Sequence, residues 1–291
     1  MSAAAKPPAP RRRYYSARTG TIAAHPGFDL DEFKRFFVAA YSTLEEAGLF
    51  QEWFGYDCVD AGFVPGKAGA DLHHFIYRKI RQTGTWPFQT NIFVCDRDEI
   101  FDVIELLYDH SSKGVKGSHH DFNDCGWHYT TFDPAAGQLK FREAMNEILA
   151  DYGPGFELSA VGEILSLADE GLAPLLSAQL PSGDIAHVNA RVEAAVLKFR
   201  RRSSTGPERR DAVRDLADVL EFLRDEAKKV LKSDDERDLF NLANNFGIRH
   251  HNKGQKTDYD LGIWLSWTFY YYLATIHACV RLIEKANNPK G

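Results

Sequence analysis

From Ile263 to Cys279 the chain reads Ile-Trp-Leu-Ser-Trp-Thr-Phe-Tyr-Tyr-Tyr-Leu-Ala-Thr-Ile-His-Ala-Cys, and its aromatic residues fall on every side of a helix. A helix that is apolar all round has to be covered all round. The run is too short and too polar to cross a bilayer. A spanning helix needs about 20 predominantly apolar residues, and Ser266, Thr268, Thr275 and His277 interrupt this one. It is therefore predicted to be a buried final helix, Leu261 to Lys285, packed inside a bundle, against the N-terminal part or across a subunit contact.

The sequence before it supplies bundle partners. Ile185 to about Arg202 has helical spacing. Thr205, Pro207 and Glu208 then restart a helix, with Thr as cap, Pro in the first turn and Glu three residues on. Val213, Leu216, Ala217, Leu220 and Leu223 form its apolar stripe, and it runs to about Leu231. Ser233-Asp234-Asp235-Glu236 opens a further helix carrying Leu239, Leu242, Ala243 and Phe246. Four helices with short connections are most economically an antiparallel bundle.

The N-terminal part is of mixed character. Asp29 with Glu32 opens a helix from Leu30 to Ala47, and Asp96 with Glu99 opens one to about His110. A shorter helix is expected from Asp71 to Gln82. Asn91–Cys95 reads as a short buried strand, Ser111–Ser118 as a glycine-dotted loop, and Trp127–Phe132 as a strand. Asp133–Gly137 is a turn into a helix from Leu139 to Tyr152, and Phe156–Leu167 is a hairpin about Ala160-Val161-Gly162. The fold class is mainly α: a disordered tail over 1–13, an α+β domain with few short strands over 14–181, and a helical domain over 182–291.

Composition fits this picture. Apolar residues make up 44% of the chain and charged ones 26%, as in soluble globular proteins. No signal-type apolar segment follows Met1, and Cys58, Cys95, Cys125 and Cys279 are widely spaced, which leads to an expectation of a cytoplasmic protein with free thiols. Charge is uneven: residues 1–181 carry 16 Lys and Arg against 25 Asp and Glu, and the remainder carries 19 against 16. The basic part is the better candidate to meet a phosphate backbone.

That part also holds the richest polar segment, Arg249-His250-His251-Asn252-Lys253-Gly254-Gln255-Lys256, between two apolar helices. Arginine offers a forked, permanently charged donor to phosphate oxygens. Histidine can hold or release a proton near neutral pH. Together they are what metal-free RNA cleavage requires: a base for the ribose 2′-hydroxyl, an acid for the leaving oxygen and cations for the phosphorane. The same residues would equally serve as ties for helix-end carbonyls, with Arg249 paired to Asp258 or Asp260.

The helix, polar loop and helix, with Arg249 near the end of the third bundle helix, resemble the HEPN superfamily of four-helix domains. Tyr15-Ser16-Ala17-Arg18-Thr19-Gly20 and Phe141–Leu149, with the hairpin after it, look more distantly like the N-terminal domains of abortive-infection proteins. The resemblance implies a metal-independent RNase or RNA-binding effector of a phage-defence or toxin–antitoxin system. It would work as a homodimer through the C-terminal helices, with RNA as substrate and an antitoxin or phage-derived trigger as further partner. Arg249 would hold phosphate, His250 or His251 would move the proton, Asn252 would orient a hydroxyl, and Lys253 and Lys256 would bind substrate. The family's His, expected after roughly four to six intervening residues, is missing: positions 254, 255 and 256 are Gly, Gln and Lys. That departure favours a competing reading, a non-catalytic HEPN-like scaffold or sensor. His277, on the last helix, is a third proton carrier to consider, although one His on an apolar helix is ordinarily a core residue.

No GxGxxG, P-loop or nucleophile elbow occurs, so no cofactor is expected. His73-His74 are adjacent on a helix and face different ways. His119, His120, Cys125 and His128 have ligand types suited to zinc, but the spacing HHx4CxxH corresponds to no recognised zinc fold. The intervening Asp121, Asn123 and Asp124 read as an exposed loop, so no metal is expected there.

Overall fold

A computed structural model describes residues 27–167, 185–201, 204–231 and 260–287, with isolated residues Tyr15, Thr19, Leu172, Leu175, Leu176, Ala178 and Leu180. The chain divides into two compact units, Tyr14–Leu167 and a second comprising Ala168–Gly291 with Met1–Arg13. Leu175, Leu176 and Leu180 pack on the helical core of the second unit, which draws the division earlier in the chain than Pro181. Among the described residues, no helix is long and apolar enough to cross a membrane.

The first unit is built on three helices, α1 (Leu30–Glu46), α5 (Arg97–Asp109) and α6 (Pro134–Leu149). Each begins at a side-chain cap. Asp29 and Asp96 form capping boxes with Glu32 and Glu99, and Asp133 accepts from the Ala136 N–H ahead of a first-turn proline. Phe33, Phe37 and Tyr41 of α1, Ile100 and Ile104 of α5, and Phe141, Met145 and Leu149 of α6 share one fully enclosed core. Rings fill much of it: Tyr41 stacks on Phe50 at 5.1 Å and meets Phe88 edge-on at 5.5 Å. The buried Tyr41 hydroxyl donates to Glu45 at 2.8 Å, and Gln89 donates to the same carboxylate at 2.6 Å.

Between these helices lie α2 (Gln51–Phe54), a hairpin of β1 (Tyr56–Cys58) and β2 (Gly62–Val64), α3 (Leu72–Ile80) and α4 (Phe88–Asn91). Gly55 joins α2 to β1 at a φ of +83°, where an added Cβ would sit 2.2 Å from the Val64 carbonyl oxygen, so only glycine fits. The hairpin of β5 (Phe156–Leu158) and β6 (Ile164–Ser166) is held by two side chains that replace missing strand partners. Asn146 of α6 both donates to and accepts from the Leu158 backbone, and Glu105 of α5 accepts from the Ile164 N–H at 2.7 Å. Burial raises the Glu105 carboxyl against the pull of that bond.

Three sequence expectations are corrected. Asn91–Cys95 is not a strand: α4 passes into a 3-10 turn, Ile92–Val94. Ile92 and Cys95 are buried while Phe93 and Val94 face out, a spacing of three that a strand cannot produce. Ser111–Ser118 is not a loop: β3 (Lys113–His120) pairs antiparallel with β4 (Gly126–Asp133), with register shifts about Lys116. Its glycines read as loop residues, yet they admit a neighbour. A Cβ on Gly114 would lie 2.3 Å from the Tyr129 ring. The predicted turn at Asp133–Gly137 is likewise already helix, because Asp133 itself is the cap.

His110 closes α5. It is 4% exposed, bonds through Nδ1 to the Leu106 carbonyl oxygen at 2.6 Å, and meets Trp53 edge-on at 4.6 Å. Burial pulls its pKa below the ordinary 6.5, opposed by the Leu106 bond. The unfolded chain therefore takes up the proton first, so this group's stability is present above the ordinary value and lost as pH falls through the folded one. Thermal unfolding followed from pH 7 downward should show a steeper loss for the wild type than for His110→Phe. Parallel curves would remove His110 as a cause.

In the second unit, α7 (Ile185–Arg200), α8 (Gly206–Val230) and α9 (Leu261–Asn287) share a core. The expected Thr205–Glu208 capping box opens α8, and the expected stripe Val213, Leu216, Ala217, Leu220 and Leu223 is buried. Phe269 of α9 stacks on Phe199 of α7 at 3.9 Å. Phe269, Tyr272 and Ile276 are fully buried, whereas Ile263 is 67% and Trp267 42% exposed. The helix expected after Ser233 falls outside the described residues.

Candidate metal centre

The turn of one hairpin and the end of another bring four ligand side chains together in the first unit. Cys58 ends β1, His120 ends β3, Cys125 follows a 3-10 turn (Phe122–Asp124), and His128 lies on β4. Side chains alternate along a strand, and residues opposite each other across a ladder share a face. Because His120 pairs with Gly126 and Ser118 with His128, His120 and His128 point the same way. His119 points the other way, where it meets Trp127 edge-on at 5.5 Å and bonds to Asp121. The tight return between the strands uses Asn123 at φ 51° and Gly126 at φ 88°, and it leaves Cys125 beside the two imidazoles.

The ligand atoms of Cys58, His120, Cys125 and His128 all lie within 4.8 Å of one another. Cys58 Sγ is 3.8 Å from His120 Nδ1, and Cys125 Sγ is 3.2 Å from His128 Nε2. With Zn–S near 2.3 Å and Zn–N near 2.0–2.1 Å, a tetrahedral ion separates its ligand atoms by about 3.3–3.8 Å. The four groups thus fit Zn2+ with small adjustments. Two thiolates select against the hard cations Mg2+ and Ca2+, which take oxygen ligands.

The surroundings support that fit. Asp60 Oδ2 lies 3.2 Å from His120 Nε2, which leaves Nδ1 of that ring for the metal. A carboxylate on the far nitrogen is the common way a metal-binding histidine is oriented. His128 is held flat against Tyr56, centroids 4.4 Å apart. Backbone N–H groups of Ala61 and Asp60 bond to the Cys58 sulfur and draw its thiol below the ordinary range. Such donors compensate thiolate charge. The β3–β4 hairpin itself is anchored by Gln51 of α2, which donates to the Trp127 carbonyl oxygen at 2.8 Å and accepts from the Tyr129 N–H at 3.2 Å.

Of the residues that the sequence suggested for zinc, three converge here, His119 does not, and Cys58 joins from 62 positions before His120. No local spacing announces Cys58 or Asp60. The local signal is His120-x4-Cys125-x2-His128, whose spacing corresponds to no recognised zinc fold and whose Asp121, Asn123 and Asp124 read as a loop. His73 and His74 are exposed on α3, outside the cluster. Arg249, His250, His251, Asn252, Lys253 and Lys256 lie outside the described residues. His277 is 6% exposed on α9, with Nδ1 lacking a partner among the described residues, and burial lowers its pKa. No protein-family model matches the sequence, and no curated protein or solved structure matches it.

Proposed function

We propose that the first unit binds one Zn2+ through Cys58, His120, Cys125 and His128, and that the ion serves as a structural cross-link. The observation that carries this is the approach of two thiols and two imidazoles to within 4.8 Å on two separate hairpins. Four protein ligands leave a tetrahedral zinc no open position for water, so the centre belongs with structural sites. Its effect is to tie the β1–β2 turn to the β3–β4 hairpin, two small ladders with little enclosed apolar surface of their own. Purified protein should contain one zinc per chain, and Cys58→Ser and Cys125→Ser should each lose it. Metal-free wild type would refute the reading.

For the second unit we infer an RNA-directed effector role with the zinc-stapled unit as its companion. The reading rests on the Arg249–Lys256 segment, which lies in sequence between α8 and α9, two helices of one apolar core. A four-helix HEPN-like bundle, dimeric through its helices, would put Arg249 on phosphate and His250 or His251 on the proton. RNA cleavage or cellular toxicity should fall at least tenfold in Arg249→Ala and in His250→Ala/His251→Ala. RNA binding without cleavage would favour the non-catalytic scaffold instead.

A further inference from the structure

Cys58 and Cys125 differ from the other two cysteines in a way that zinc binding alone does not need. Both are half-buried, whereas Cys95 and Cys279 are 5% and 2% exposed. Their sulfurs belong to the set of ligand atoms that all lie within 4.8 Å of one another. Each sits on a turn: Cys58 at the two-stranded β1–β2 ladder, Cys125 between left-handed Asn123 and Gly126. Closing to an S–S bond of about 2.05 Å requires movement of these turns and of χ1, and not of the helical core.

We propose that Cys58 and Cys125 form a reversible redox couple, in which a hydroperoxide converts the two zinc-bound thiolates into one disulfide and expels the ion. The inference rests on the metal reading above. One thiolate attacks the peroxide, breaking the O–O bond and becoming a sulfenic acid. The second thiolate attacks that sulfur, forming the S–S bond and releasing hydroxide. With hydrogen peroxide the sulfurs lose two electrons, two protons come from solvent, and two water molecules form. Zn2+ departs with its own charge because a disulfide is a poor ligand. His120 and His128 are then left without their ion, while the two hairpins stay joined by the new covalent bond. A dithiol reductant with added Zn2+ restores the original centre.

The test uses the zinc-loaded full chain and hydrogen peroxide. Zinc release is read with a chromogenic chelator, free thiols are counted, and cysteine linkages are mapped in digests of alkylated protein. One zinc should leave per chain as the thiol count falls from four to two, with Cys58 linked to Cys125 and both buried thiols still alkylatable after unfolding. Dithiothreitol and Zn2+ should return all four thiols and the metal. Zinc retained at peroxide levels that oxidise small-molecule thiols would overturn the switch, as would added oxygen on Cys58 or Cys125 without a cross-link. Either result leaves the metal reading standing. A chain that carries no zinc at the outset overturns both.

Discussion

Stripping zinc from this protein should lower the melting temperature of the first unit by roughly 8–16 °C. A ligand bound only by the folded state at 1,000 times its dissociation constant contributes about 4 kcal/mol, and a domain of this size shifts by about 2–4 °C per kcal/mol. The direction follows from the cluster. Without the ion, two thiols and two imidazoles stay within 4.8 Å of one another with no cation to hold them there. The β1–β2 ladder is three residues per strand, too short to be stable alone. Calorimetry before and after treatment with a high-affinity chelator would measure the shift. Re-addition of Zn2+ should reverse it, while Mg2+ should not. An unchanged transition would mean that the ion does not hold the hairpins.

The second large effect is expected in the core, at Phe33→Ala. Phe33 is fully enclosed, stacked on Tyr152 at 4.4 Å and edge-on to Phe101 at 6.3 Å. Its loss removes apolar burial and leaves a cavity between α1, α5 and the chain after α6. Substitutions of this kind cost about 3–5 kcal/mol, a large share of the roughly 5–15 kcal/mol that holds a domain together. Urea unfolding should show the midpoint falling with little change in slope. Zinc content of the folded fraction should stay at one per chain, because Phe33 touches none of the ligands. A loss below about 1 kcal/mol would show that the ring is not enclosed.

These two sites mark what a reader of the sequence can and cannot see. Phe33, Phe37 and Tyr41 recur at helical spacing beside an Asp29–Glu32 start signal, and both features are local. The same holds for Asp96 with Glu99 and for Thr205 with Glu208, each a pair three residues apart that the structure shows as a reciprocal cap. The strand β3 was hidden because its glycines answer to a distant residue: Gly114 is small so that Tyr129 can lie over it. Once β3 is recognised as a strand, alternation alone sends His119 and His120 to opposite faces and removes one false ligand. Cys58 stayed out of reach, since its partners are brought to it by a separate hairpin. The Arg249–Lys256 segment shows the reverse case, a local pattern rich in chemistry that rests on residue types and a family resemblance.

X-ray absorption at the zinc edge of the purified chain probes the ligand set itself. The account requires two sulfur ligands at about 2.3 Å and two nitrogen ligands at about 2.0–2.1 Å, with one sulfur lost from any zinc that Cys58→Ser retains. A shell of oxygen and nitrogen without sulfur, or one unchanged by that substitution, would contradict it.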